Sequence, residues 1–328
     1  MVEIRNKATL PSEARMPPEY SASRGGSPLL TRREMCHGLL ASVIMGRFLR
    51  HVHADEPIPS ALVTSGAKKT GTIVIVGGSN RLPDGSYPTE IEDLFLELVE
   101  RTGGEEAGVV VIPTASETAE NMNADYFFRP KKRPASLEKL HTRSRDTANT
   151  SAFTEPIRRA VGVWVAGGDQ RRWVNAYGGT LLEQELHDVV HRGGVFAATS
   201  AGAALVSVES ILGGDPAEMG TGIGMVKGGI FDMHLDRGRL PRLLGVVKSR
   251  PGCVGFGLDA DTALIIQGTR GRVFGAGNMR ICVHPSGAEK PSIDVFSNGD
   301  TVDLNTLKVT IVPNEERPAP ANVTVGAP

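Results

Sequence analysis

Residues 193–207 read GGVFAATSAGAALVS, and the fold turns on how that stretch is read. The apolar run through Ala198 has the length and composition of a short buried strand, and Ser200 follows it at once. Ala201, Gly202, Ala203 and Ala204 then supply small residues suited to a helix. A serine at a sharp strand-to-helix turn forms a nucleophile elbow, in which the turn thrusts the hydroxyl clear of the backbone and small neighbours leave room for substrate. The pattern is AxSxG, with Ala198 in place of the first glycine of GxSxG. On the motif alone, a serine capping a buried helix in an ordinary doubly wound fold fits equally well.

Outward from the elbow the same texture repeats. Apolar runs TIVIV at 72, GVVVI at 108, VGVWV at 161, GVFAA at 194 and ALII at 263 alternate with longer amphipathic stretches. In TEIEDLFLELVER, Ile91, Leu94, Phe95, Leu98 and Val99 fall on one helical face, and Leu182, Leu186, Val189 and Val190 repeat the spacing before the elbow strand. That alternation is the sequence form of an α/β, doubly wound, mostly parallel sheet with helices on both faces. After about residue 269 the punctuation changes to Ser, Gly, Asn and Asp around DVF, TVDL and KVTIV, with Ser297-Asn298-Gly299-Asp300 reading as a hairpin turn. A small antiparallel β appendage is expected over about 270–313, inside a single α/β domain spanning 55–313, with a loose proline-rich tail over 314–328.

Charge and cysteine content narrow the function. With 36 Lys+Arg against 37 Asp+Glu and a net charge of -1, there is no basic excess to neutralise phosphates, so nucleic acid is not an expected partner. Cys36, Cys253 and Cys282 have no spacing that gathers zinc ligands, so neither a metal nor another cofactor is expected. Residues 1–54 carry eight basic and four acidic residues, including the pair Arg32-Arg33 ahead of an apolar run from Gly38 to Met45. This resembles a twin-arginine export signal removed near Ala54, implying a periplasmic or extracellular protein, with a cytoplasmic one as the alternative. The apolar run is too short for a permanent span.

Two glycine pairs follow strands, Gly77-Gly78 and Gly167-Gly168, but neither matches a dinucleotide or Walker pattern, and both are read as sharp turns. The basic run RPKKR at 129–133 is read as a solvated loop. Of the eight histidines, His234 ends the run GGIFDMH downstream of the elbow, where a strand-end loop can bring an imidazole over Ser200. A strand-end histidine also serves as an ordinary packing residue.

Four segments then carry a resemblance. VWVAGGDQ at 163–170, ATSAGAAL at 198–205, DMHLDRGRLPRLL at 232–244 and GFGLDADTALII at 255–266 resemble, in order, the signature segments of cyanophycinase and its relatives. These are serine peptidases that include the aspartyl dipeptidase peptidase E, and the resemblance covers roughly residues 70–270. It implies a flavodoxin-like or class I glutamine-amidotransferase-like fold and an omega-peptidase acting on β-aspartyl-arginine units of a storage polymer or on aspartyl peptides. It also implies Ser200 as nucleophile, His234 as base, and an oxyanion hole from the N–H groups of Gly168 and Ala201. Gln170, Asp232, Arg237, Arg239 and Arg242 would line the substrate pocket, the guanidinium groups holding carboxylates and Asp232 a basic side chain. A homodimer is an allowed assembly.

This chain departs from the family pattern at three places. Ala260 stands where the family carries the glutamate of GIDED, leaving Asp261, Asp259 or Asp215 to orient the histidine. Met233 replaces the usual glutamine, with a spacing from His234 to Arg237 one residue shorter, and Ala198 replaces the elbow glycine. The expectation is an exported serine hydrolase with Asp261 as third group. The alternatives are a silent binding protein that lost turnover with the glutamate, a peptidase E-like dipeptidase, and an amidotransferase subunit, whose chemistry usually needs cysteine at the elbow.

Overall fold

Valine and isoleucine dominate the runs at 72–76 and 108–112, and their stiff branched side chains pack well on a pleated surface. The computed structural model describes residues 71–312. Its strands are β1 (Thr72–Val76), β2 (Gly108–Ile112), β3 (Ser136–Lys139), β4 (Gly162–Val165), β5 (Val195–Thr199), β6 (Glu209–Gly213), β7 (Glu218–Thr221) and β8 (Val226–Lys227). They continue as β9 (Gly229–Met233), β10 (Val254–Leu258), β11 (Thr262–Gln267), β12 (Arg270–Gly275), β13 (Met279–Val283), β14 (Ser292–Phe296), β15 (Thr301–Asp303) and β16 (Thr310–Ile311). The helices are α1 (Glu90–Gly103), α2 (Ala124–Phe127), α3 (Arg145–Ala148), α4 (Ser151–Arg159), α5 (Gln170–Tyr177), α6 (Leu181–His191), α7 (Ala201–Ala204) and α8 (Leu240–Ser249).

An eight-stranded sheet runs in the order β15-β12-β11-β1-β5-β4-β2-β3. Its β1-β5-β4-β2-β3 half is wholly parallel. The face carrying Val74, Val76, Val109, Val111, Trp164, Val195 and Ala197 packs against Ile91, Leu94, Phe95, Leu98 and Val99 of α1, the stripe read from sequence. Alternate residues such as Ile73, Ile75 and Phe196 are fully buried on the opposite face. A second sheet, β14-β13-β10-β9, contains a parallel pair β9 and β10 joined by α8.

Four local expectations change. The run ALII lies in β11, which is antiparallel to β1. Only Asp259–Asp261 separate β10 from β11, and a parallel return needs a crossover of a dozen or more residues. The residues after 269 form no separate appendage: β12 and β15 extend the main sheet, β13 and β14 complete the second, and β16 pairs with β8. Ser297–Asp300 is a tight turn, closed by Asp300 N–H to Ser297 O at 3.0 Å, but it passes the chain from one sheet to the other instead of closing a hairpin. Edge strand β3, SLEK, carries no apolar run, so no strand was expected there. The export signal, the start of the domain at 55 and the tail over 314–328 lie outside the described residues.

Candidate active site

The elbow is built by the parallel core. Ser200 follows β5 with φ 52 and ψ -118, a region few non-glycine residues occupy. Its N–H donates to Val76 O at 3.0 Å, and its own carbonyl accepts Ala204 N–H at 3.0 Å, so the neighbouring strand and the first helical turn hold the strained residue from both sides. Helix α7 is a single turn, Ala201–Ala204, shorter than the alanine-rich stretch suggested. Its contribution is therefore free N–H groups at close range, not a large helix dipole.

The second sheet brings the imidazole. His234 leaves the end of β9 in the left-handed region, φ 54 and ψ 47, with its N–H donated to Gly77 O at 3.0 Å. Its Nε2 lies 2.8 Å from Ser200 Oγ, so the hydroxyl donates when the ring proton is on Nδ1. Both glycine pairs frame this contact. A Cβ on Gly78, where φ is +106, would fall 2.1 Å from His234 Cε1. One on Gly168, φ +145, would fall 2.1 Å from Ala115 O. Gly167 lies directly against the Ser200 side chain, and Gly77 against Asp259 O. One glycine of each pair, Gly78 and Gly167, thus forms a wall of the serine–histidine contact.

Among the described residues, no backbone carbonyl accepts the N–H of Gly168 or of Ala201; Ala201 follows Ser200 directly, and Gly168 follows Gly167, which lies against the Ser200 side chain. That leaves two donors free for an oxyanion. The remaining residues are placed differently from one another. Arg237 is exposed and donates to Asn80 Oδ1 at 3.1 Å. Arg239 is half-buried and reaches Met233 O at 3.1 Å. Gln170 Nε2 donates to Ile211 O at 3.3 Å. Asp232, only 2% exposed, is engaged by Arg242 through two N–H groups, Nε to Oδ2 at 2.9 Å and Nη2 to Oδ1. That internal pair corrects the assignment of Asp232 and Arg242 to open substrate contacts, because the carboxylate and the guanidinium already neutralise each other.

The imidazole has an unusual environment. His234 Nδ1 is buried and has no hydrogen-bond partner among the described residues. Burial, then the nearby charges of Arg237 and Arg239, push the ring's pKa down to about 4, with Asp236 acting in the opposite sense. Asp261 accepts the backbone N–H of Asn80 at 3.2 Å, and burial raises its pKa; no bond joins it to the imidazole. Asp259 is held by Arg280 at 2.6 Å and by the Asn278 N–H at 3.1 Å. Asp215 lies exposed between β6 and β7. The residue that the sequence did not single out is Asp236, whose sole signal was a carboxylate two positions after the histidine.

Other features resolve as structure. Lys132 pairs with Glu100 and Arg133 with Asp125, and Arg129 stacks over Tyr87 at 4.4 Å, so the basic run braces α1 and its neighbours. Among the described residues no helix is long and apolar enough to cross a membrane.

Comparison with known proteins joins this geometry to a family. A cyanophycinase of Trichormus variabilis is 30% identical over 216 residues, 62% of this chain and 70% of that protein. A cyanophycinase of Synechococcus elongatus is 28% identical over 268 residues, 73% of this chain and 81% of that protein. The crystal structure of a peptidase from an acI-B1 Actinobacterium superposes with a TM-score of 0.54 at 19% identity, covering 72% of this chain and 98% of that one, a likeness of fold. Residues 73–274, which contain the elbow, the histidine and the strands that place them, match Peptidase family S51, and the chain belongs to that peptidase family.

Proposed function

We propose that this chain is a serine peptidase working through a Ser200–His234 dyad on peptides of the β-aspartyl-arginine type. The observation that carries the reading is the 2.8 Å contact between Ser200 Oγ and His234 Nε2 at a strained elbow with two unengaged N–H groups beside it. Ser200 Oγ attacks the scissile carbonyl while His234 Nε2 takes its proton. The N–H groups of Gly168 and Ala201 receive the negative oxygen. His234 then passes the proton to the leaving amine, and water, activated by the same imidazole, releases the acyl group. Exposed Arg237 and half-buried Arg239 suit the free carboxylates of aspartyl units, and the relatives named cyanophycinase support that substrate class. The reading includes export, on the strength of Arg32-Arg33 and the apolar run behind them.

The unpartnered Nδ1 favours a second reading, a binding protein with little turnover. Mass spectrometry of products released from cyanophycin and from α- and β-aspartyl dipeptides separates the two. Release of aspartyl-arginine by the wild-type chain and none by Ser200→Ala supports the peptidase; tight binding without release supports the binder.

A further inference from the structure

Proton transfer from Ser200 would leave an imidazolium at His234 whose Nδ1 has no acceptor among the described residues. Arg237 and Arg239 face that ring with like charge. Position 260, where the resembled family carries a glutamate, is a buried alanine, and what it offers is its backbone: Ala260 N–H donates to Asp236 Oδ1 at 2.9 Å. Asp236 belongs to the 3-10 turn Leu235–Arg237 that starts at His234. Its Oδ2 accepts from Asn80 Nδ2 at 3.4 Å. Asn80 in turn accepts from Arg237 and donates its N–H to Asp261.

One carboxylate therefore ties together the three segments that meet around the imidazole. These are the histidine's own turn, the β10–β11 turn through Ala260, and the loop after β1, whose Gly78 lies against the ring. Although burial opposes it, the Ala260 N–H and the Asn80 amide hold the Asp236 carboxyl below its usual range, keeping it anionic. Of the other carboxylates in the β10–β11 turn, Asp261 is bonded to the Asn80 N–H and Asp259 is held by Arg280.

We infer that Asp236 is the positioning residue of His234, supplying from the histidine's own loop the anchoring and the negative charge that position 260 lacks. This rests on Ser200 and His234 being nucleophile and base. Asp236 makes no bond to the ring, so its effect is smaller than that of a directly bonded triad carboxylate, whose loss costs about 10⁴ in kcat.

Two variants of the full chain test it. Asp236→Asn keeps an oxygen for the Ala260 N–H and removes the charge; Asp236→Ala removes both. For Asp236→Asn the expected result is an unchanged melting temperature, kcat lower by about tenfold and KM near wild type. The acid limb of the pH–rate profile and the NMR titration midpoint of the His234 ring should both move to lower pH, because the imidazolium has lost its counter-charge. Asp236→Ala should show the same midpoint shift with an additional loss in kcat from the loosened turn. An unmoved His234 midpoint in Asp236→Asn overturns the inference, as does an unchanged kcat. The NMR titration reads the ring whether or not substrate turns over. A wild-type chain that hydrolyses nothing therefore sinks the peptidase reading, while the midpoint still decides the role of Asp236.

Discussion

The serine and the histidine of the candidate site come from two sheets that meet different demands. Ser200 sits where a parallel core dictates its conformation: β1 holds its N–H, α7 its carbonyl, and Gly167 its side chain. His234 leaves the smaller β9–β10 sheet in a left-handed turn, held in place by Gly77 O and the edge of Gly78, yet its buried Nδ1 has no hydrogen-bond partner among the described residues and its field is positive. Ser200 is thus a problem of shape that packing has solved, whereas His234 is a problem of charge left partly open. Packing tolerates little variation at the first. Electrostatics can be tuned residue by residue at the second, where Ala260 carries no charge and Asp236 stands two positions after the histidine.

Substitutions on the two sides should separate these demands. The largest effect is expected for Ser200→Ala, with hydrolysis falling by at least about 10⁴ and the melting temperature unchanged; residual turnover near wild type in a steady-state assay would remove Ser200 from the chemistry. Next comes Arg242→Ala, which strands the buried Asp232 carboxylate without its partner. It should destabilise the fold by about 3–5 kcal/mol in chemical denaturation, while Arg237→Ala, at an exposed side chain, should leave stability within about 0.5 kcal/mol. Gly78→Ala puts a methyl into the His234 ring, and an imidazole displaced by about 1 Å should lower kcat about 100-fold. Ala260→Glu should do the reverse. A carboxylate offered to Nδ1 is expected to raise kcat by about tenfold and to move the acid limb to higher pH; a limb that stays in place would mean that position 260 does not reach the ring.

The pH dependence has a definite sign. A base must be neutral to accept the serine proton, so with the His234 pKa pushed down to about 4, kcat/KM should hold level from neutrality down to that region and fall below it. The unfolded chain takes up the proton first, near 6.5. That difference makes His234 contribute stability above pH 6.5 that is lost progressively as the pH falls toward about 4. A limb near the ordinary histidine value in the rate profile would show that neither the burial of the ring nor the positive field around it is felt in solution.

Much of the nucleophile side was legible in the chain. Contiguous apolar runs marked β1, β2, β4 and β5, and small residues around Ser200 marked the elbow, because both signals lie within a few neighbouring positions. The base side depended on contacts that sequence spacing hides. Asp232 and Arg242 are ten residues apart, brought together because α8 carries the chain back across the second sheet. The glycine pairs stand out in the sequence, but only the meeting of β1, β5 and β9 reveals that they lie around an imidazole. β14 and β15 look like a hairpin from either side of Ser297–Asp300, and nothing local says that they belong to different sheets. Asp236 carries no motif; its meaning comes from Ala260 and Asn80, which reach it from distant parts of the chain.

The pairing of Ser200 with His234 as an activated nucleophile can be tested without knowing the substrate. The most direct measurement is the intact mass of the full-length chain after exposure to a serine-directed fluorophosphonate, with the modified residue located by fragmentation. The dyad predicts one adduct, on Ser200, formed by the wild type and not by His234→Ala. An unmodified wild type, an adduct on another serine, or equal labelling of His234→Ala would contradict it.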